Sequence, residues 1–98
     1  MNRQNCVGML ASSIAGHDKG KIYVIVGEAE DFFWLADGKT RSMENLKKKK
    51  RKHVQAIKYY TDRELTECLH QGRDFSDLEI KRALKAYDKI RREKDKQT

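Results

Sequence analysis

Hydrophobic and polar positions follow one pattern up to Tyr60 and another beyond it. In the first part short apolar runs alternate with glycine-bearing polar turns, as strands joined by hairpins do; in the second, apolar residues recur every three or four positions, as on helices. The run CVGMLASS (6–13) predicts a first strand, and AGHDKGK (15–21), where Gly16 and Gly20 bracket polar residues, predicts a tight turn. KIYVIVGEAE continues in β-branched and aromatic residues as a second strand, interrupted near Gly27 and closed by the acidic EAED turn. FFWLADG predicts a third strand ending in a turn at Asp37-Gly38. Thr40–Met43 reads as a short fourth strand, and Val54, Ala56 and Lys58 alternate through a fifth. Five short strands with brief turns, from Cys6 to Lys58, predict a small β-barrel.

After Tyr60 the period changes. Thr61 with Glu64 fits a capping box ahead of Leu65, Cys68 and Leu69, with Gly72 as the stop. Ser76 with Glu79 repeats the box, and Ile80, Ala83, Leu84, Tyr87 and Ile90 follow at helical spacing, with Lys81, Lys85, Lys89 and Arg92 in other directions. The expectation is a mainly β chain: a barrel over residues 1–60, then two C-terminal α-helices within 61–98, running from Asp62 and packed on the barrel, with a frayed end from about Glu93. A length of 98 residues accommodates one such core and not two.

Charge alters the picture. The net charge is +7, and residues 1–58 hold 12 Lys/Arg against 6 Asp/Glu, whereas 59–98 hold 10 against 9. The six consecutive cations from Lys47 to Lys52 equal the whole excess of the first part. Acidic residues elsewhere are not expected to neutralise the run locally, so it should attract a polyanion, nucleic acid ahead of an anionic membrane surface. The apolar share of 38% suffices for one compact interior beneath a heavily charged surface.

Other chemistry is excluded by pattern. Cys6 and Cys68 form no CxxC pair, which favours two ordinary thiols in a reducing, cytoplasmic setting. His17, His53 and His70 are too scattered for a zinc site, so neither metal nor cofactor is expected. Ser12, Ser13, the histidines and the cluster Glu28, Glu30 and Asp31 do not order into a nucleophile and base; the chain reads as non-enzymatic, with no catalytic residues and no small-molecule substrate. MNRQNCVGMLASSIAGH has the outline of a signal peptide, but Gly8, Ser12 and Ser13 break its apolar middle, and a first strand accounts for it better; no membrane partner is expected.

The stretch VGMLASSIAGHDKGKIYVI (7–25), an apolar strand, a Gly-x-x-Lys-Gly turn and a return strand, resembles the KOW motif of ribosomal proteins and transcription-elongation factors. ADGKTRSMENLKKKKRKHVQ (36–55) is similar to small bacterial KOW-domain RNA-binding proteins related to large-subunit ribosomal proteins of archaea and eukaryotes. The resemblance covers residues 6–58 and implies an SH3-like barrel that binds structured RNA, with large-subunit rRNA and neighbouring ribosomal proteins as partners.

The residues themselves supply a physical reading. His17, Lys19 and Lys21 would project from a glycine-bracketed hairpin, with turn amides such as that of Gly20 offered to phosphate oxygens. Lys47, Lys48, Lys49, Lys50, Arg51, Lys52 and His53 would form a cationic loop whose mutual repulsion is relieved when each charge displaces a counterion from RNA. Lysines are point charges suited to backbone contact, not base reading. A plain hairpin, a solubilising loop and a nuclear import signal are the competing explanations, and Asp18 sets a negative charge at the tip of the turn. Phe32, Phe33 and Trp34 suggest base stacking, but alternation predicts Phe33 and Leu35 on one side and Phe32 and Trp34 on the other as core and helix contacts, with Tyr23, Tyr59 and Tyr60 fitting either role. The alternative of another class is a protein-interaction module using the EAED turn and the helical tail.

Overall fold

The computed structural model describes residues 5–96. Five strands, β1 (Leu10–Ser13), β2 (Ile22–Glu28), β3 (Phe32–Ala36), β4 (Lys47–Lys50) and β5 (Val54–Ala56), form one antiparallel sheet in the order β4-β3-β2-β1-β5. A single 3-10 turn over Arg51–His53 links the two edge strands. Two helices follow, α1 (Arg63–Gln71) and α2 (Asp77–Lys96). The helices hold more residues than the strands, so the chain is a mixed α and β fold and not a mainly β one, with the expected five strands followed by two C-terminal helices.

Period-two alternation sorts the sheet residues onto two faces. Ala11, Tyr23, Ile25, Phe33, Leu35 and Val54 cluster with Cys6 on one face. On the other, Leu10, Val24 and Ala36 cluster with Leu65, Cys68, Phe75, Ile80, Ala83 and Tyr87. The helices therefore cover sheet surface that would otherwise face water, and sheet and helices share one of the two cores. At about 1.5–3 kcal/mol for each fully buried large aliphatic, contacts such as Leu65 and Ile80 on Leu10 and Val24 hold the helical part in place.

The fourth strand lies elsewhere than expected. Thr40–Met43 belong to the connection after β3, because the Asp37 carboxylate accepts the amides of Lys39 (2.8 Å) and Arg41 (2.9 Å), while the Arg41 carbonyl accepts the Asp37 and Gly38 amides. Amides used in a turn cannot form a ladder. Gly38, at φ 79°, leaves room for the Asp77 carbonyl of α2, which a Cβ would meet at 2.6 Å. The lysine run itself is β4, an edge strand made of the residue type that discourages edge-to-edge pairing.

Boundaries shift for local reasons. β1 begins at Leu10, since Cys6–Met9 close a turn in which the Met9 amide bonds the Cys6 carbonyl. Residues 1–4, the basic start of the signal-like outline, lie outside the described residues. Asp62 and not Thr61 caps α1, accepting the Leu65 amide at 3.0 Å, and Gly72 ends it in the left-handed conformation. At α2 the expected capping box is present: the Ser76 hydroxyl accepts the Glu79 amide, and the Glu79 carboxylate accepts the Ser76 amide at 2.9 Å. That carboxylate also takes Arg73 (2.9 Å) and the Cys68 thiol (3.1 Å), tying α1 to α2. Arg73, the Ser76 amide and the thiol together hold it down at about 2 against the opposing effect of burial. Helix α2 runs through Lys96, and residues 97–98 lie outside the described residues.

Candidate nucleic-acid interface

Pairing of β4 with β3 decides what each lysine does. Lys47 sits opposite Leu35 and Lys49 opposite Phe33, on the face of the buried cluster; Lys48 sits opposite Trp34 and Lys50 opposite Phe32, on the reverse face. Burial follows the alternation, with Lys47 and Lys49 half-buried and Lys48 and Lys50 exposed. The run is therefore not a loop of equivalent charges.

On the inner face the cations are internally paired. The Lys49 ammonium reaches the β1–β2 turn, donating to the Ala15 carbonyl (2.9 Å) and the Asp18 carboxylate (2.9 Å), and Lys47 lies 3.6 Å from the same carboxylate. Asp18 also accepts from the buried Ser13 (2.9 Å) and Tyr23 (2.7 Å) hydroxyls. Burial alone would raise its pKa, but Lys49, Tyr23, Ser13 and Lys47 more than offset this and keep it ionised well below the usual carboxylate range. Desolvation and the adjacent Asp18 charge push the Tyr23 phenol well above its ordinary value.

Arg51 follows the same parity. Its guanidinium donates to Glu28 (2.6 Å) and to the Ala29 carbonyl (2.8 Å) and stacks over the Phe33 ring at 4.5 Å. Glu28 is lowered despite burial because the Cys6 amide and Arg51 bond its charged form. Two acids thus pair with three members of the run and cancel two of their three charges, against the expectation of an unscreened patch: Asp18 is shared by Lys47 and Lys49, and Glu28 takes Arg51.

The other three face outward. Lys48, Lys50 and Lys52 are exposed, with no carboxylate in ion-pair range among the described residues. The Lys48 ammonium rests over Phe32 (4.2 Å) and Trp34 (5.8 Å). Phe33 and Leu35 join the core as expected, but Phe32 and Trp34 belong to neither buried cluster and remain half-buried under Lys48. The half-buried His53 anchors the end of the run, its carbonyl accepting the Ile14 amide at 2.9 Å.

The β1–β2 turn has the predicted glycines, Gly16 at φ 87° and Gly20 at φ 91°, and exposes His17 and Lys19. Three of its amides are not on offer, however. Those of Lys19, Gly20 and Lys21 bond the carbonyls of Gly16, Ser13 and Asp18, holding the turn rigid. Lys21 is exposed but ion-paired with Asp37 at 2.8 Å, and that contact, with the Lys39 and Arg41 amides, lowers Asp37 against the effect of burial.

Asp18 thus draws together two basic segments far apart in the chain. Sequence reasoning treated it as an intrusion at the tip; its role depends on β4 register, which no local pattern reveals. A second basic surface was also missed: an open cleft of about 870 Å³ in which Lys39 of the β3–β4 connection faces Lys81 and Lys85 of α2. Among the described residues, no helix is long and apolar enough to cross a membrane, and no three His, Cys, Asp or Glu side chains converge on a metal position. No family model and no curated protein matches the chain.

Proposed function

We propose that the chain is an SH3-like barrel of the KOW type that binds structured RNA through its phosphates, as a ribosomal or ribosome-associated protein of the cytoplasm with large-subunit rRNA as its partner. The observation that carries this reading is the convergence at Asp18: the rigid turn bearing His17 and Lys19 abuts the strand bearing Lys48 and Lys50, so exposed cations from two segments lie around one edge of the sheet. The sheet order and the 3-10 turn between the edge strands support the barrel.

In this reading the eleven expected contact residues divide by task. His17, Lys19, Lys48, Lys50 and Lys52 meet phosphate, each neutralised phosphate releasing condensed counterions. Lys47, Lys49, Arg51, Gly20 and His53 position them, and Lys21 does both, through its ion pair and its exposed ammonium. No catalytic role, cofactor or small-molecule substrate enters the proposal.

Ultraviolet crosslinking in growing cells, with sequencing of the attached RNA, tests it. A focused peak in large-subunit rRNA is the expected result. Negligible crosslinking, together with associations that survive nuclease treatment, would replace it with a protein-interaction module.

A further inference from the structure

We infer that the outer face of β3 and β4 is a stacking platform for unpaired RNA bases, built from Trp34 and Phe32 with Lys48 and Lys50 beside them; this rests on the RNA-binding reading and extends it from phosphate contact to a class of RNA, single-stranded segments. Three observations converge. The two aromatic rings lie outside both buried clusters, on a face whose other end, at Leu10, Val24 and Ala36, is the part that packs with the helices. Each ring stands directly opposite an outward lysine, Phe32 across from Lys50 and Trp34 across from Lys48. On its other side Trp34 lies against Gly27, where a Cβ would stand 3.6 Å from the Trp34 Cβ, so the residue directly opposite on β2 places no side chain against the indole.

The chemistry fits an anionic, π-rich strand. Every base has a π-face that can stack on an indole or phenyl ring irrespective of sequence, and phosphates spaced along the strand suit ammonium groups at the rim. In the free protein Lys48 occupies this position, its ammonium over both rings. The rings are half-buried but the Lys48 ammonium above them is exposed, on a flexible stem, so the cation is held weakly. An arriving base can therefore take the ring face while the ammonium turns to the adjoining phosphate, and Lys48 serves as a placeholder. Glu30 and Asp31, exposed at the tip of the β2–β3 turn, border the platform beyond Phe32 and repel backbone from that end. The strand's phosphates are thereby biased toward Lys48, Lys50 and Lys52. Duplex RNA, whose bases are already stacked, can meet the lysines but not the rings.

Trp34 is the sole tryptophan, so its emission reports on the platform directly. The full chain is titrated with a short single-stranded RNA, the corresponding duplex and inorganic polyphosphate, while the affinity of fluorophore-labelled RNA is read in parallel by anisotropy. Quenching of Trp34 by the single strand alone is expected, with duplex and polyphosphate binding through charge without quenching. Trp34→Ala should weaken single-strand affinity roughly tenfold and leave duplex affinity unchanged, and Trp34→Phe, which keeps a ring, should retain most of it. Equal quenching by polyphosphate would mean that emission reports only displacement of Lys48 and would overturn the platform, as would single-strand affinity indifferent to Trp34→Ala while the duplex affinity shows that variant to be folded. Binding of neither RNA would overturn the RNA-binding reading itself, and the platform with it.

Discussion

Lys47, Lys49 and Arg51 share their sequence run with Lys48, Lys50 and Lys52, yet the two sets differ in almost everything except charge. The first set lies against the protein, each member ion-paired, Lys47 and Lys49 with a shared Asp18 and Arg51 with Glu28. The second faces solvent and has no acidic partner among the described residues. A run of charge on a strand is thus two functions interleaved at period two. The arrangement also explains why the repulsion is tolerable. Lysines two apart on one face of a strand are about 7 Å apart, and two unit charges at that distance in water repel by only about 0.6 kcal/mol. On the inner face, where the dielectric is lower, one carboxylate lies between two ammonium groups and a closed turn.

The comparison is broken most forcefully at Asp18. Asp18→Ala removes the acceptor of Lys49, Tyr23 and Ser13 at once and leaves a buried phenol and a half-buried ammonium without their partner, so a loss of about 2–4 kcal/mol is expected in urea unfolding. An unchanged midpoint would mean that the inner cations are held by packing alone. Acid provides a second route to the same network. Asp18, Glu28, Asp37 and Glu79 all have folded-state pKa values below their ordinary ones, so each contributes stability that is complete above its unfolded value and is lost as pH falls through the folded one. For Glu79 that window runs from the ordinary 4.5 down to about 2, and Asp18 titrates lower still. Melting temperature should hold steady through mild acid and fall across this window; a fall confined to the range of an ordinary histidine would show that other groups govern acid stability.

Lys49→Met is a gentler cut, because it keeps most of the apolar stem against the core face while removing the ammonium. Asp18 keeps Tyr23, Ser13 and Lys47, and the expected loss is about 1–2 kcal/mol. Lys48→Met, the same change one residue earlier, should be close to neutral in the same assay. Equal losses at the two positions would remove the distinction between the faces.

Much of the fold could be read from the sequence because its signals are local. Gly72, the Ser76 and Glu79 box, the strand at residues 22–28 and the two glycines of the first turn each announce themselves within a few residues. What was missed depends on long-range register. Six cations in a row look like a solvated loop because nothing adjacent reveals that Phe32–Leu35 will pair with them. Thr40–Met43 has strand-like residues, but Asp37 takes the amides of the connection and Asp77 of α2 takes the Met43 amide at 2.8 Å, across 34 positions. The candidate site was legible in which segments carry charge and not in which charges are available. Phe32 and Trp34 show the same limit: alternation separates them correctly from Phe33 and Leu35, but it cannot say how far along the sheet the helices extend.

The smallest effect on folding, and the sharpest test of the comparison, is expected for the outward set. Replacing Lys48, Lys50 and Lys52 together by Ala removes no ion pair or hydrogen bond, only the ring contacts of Lys48, so stability should stay within about 0.5 kcal/mol of the parent. RNA binding should change greatly over the same substitutions. Each lost phosphate contact flattens the dependence of log affinity on log salt by roughly 0.7–0.9, so the slope for the triple variant should fall by about 2 to 3. Lys47→Met with Lys49→Met should do the reverse, lowering the unfolding midpoint while leaving the salt slope near that of the parent, because both ammonium groups lie against Asp18 on the inner face. If both variants flatten the slope alike, RNA draws the inner lysines out of their ion pairs and Asp18 is a competitor for them. If only the outward set does so, Asp18 is the fixed support on which the phosphate-binding edge is built.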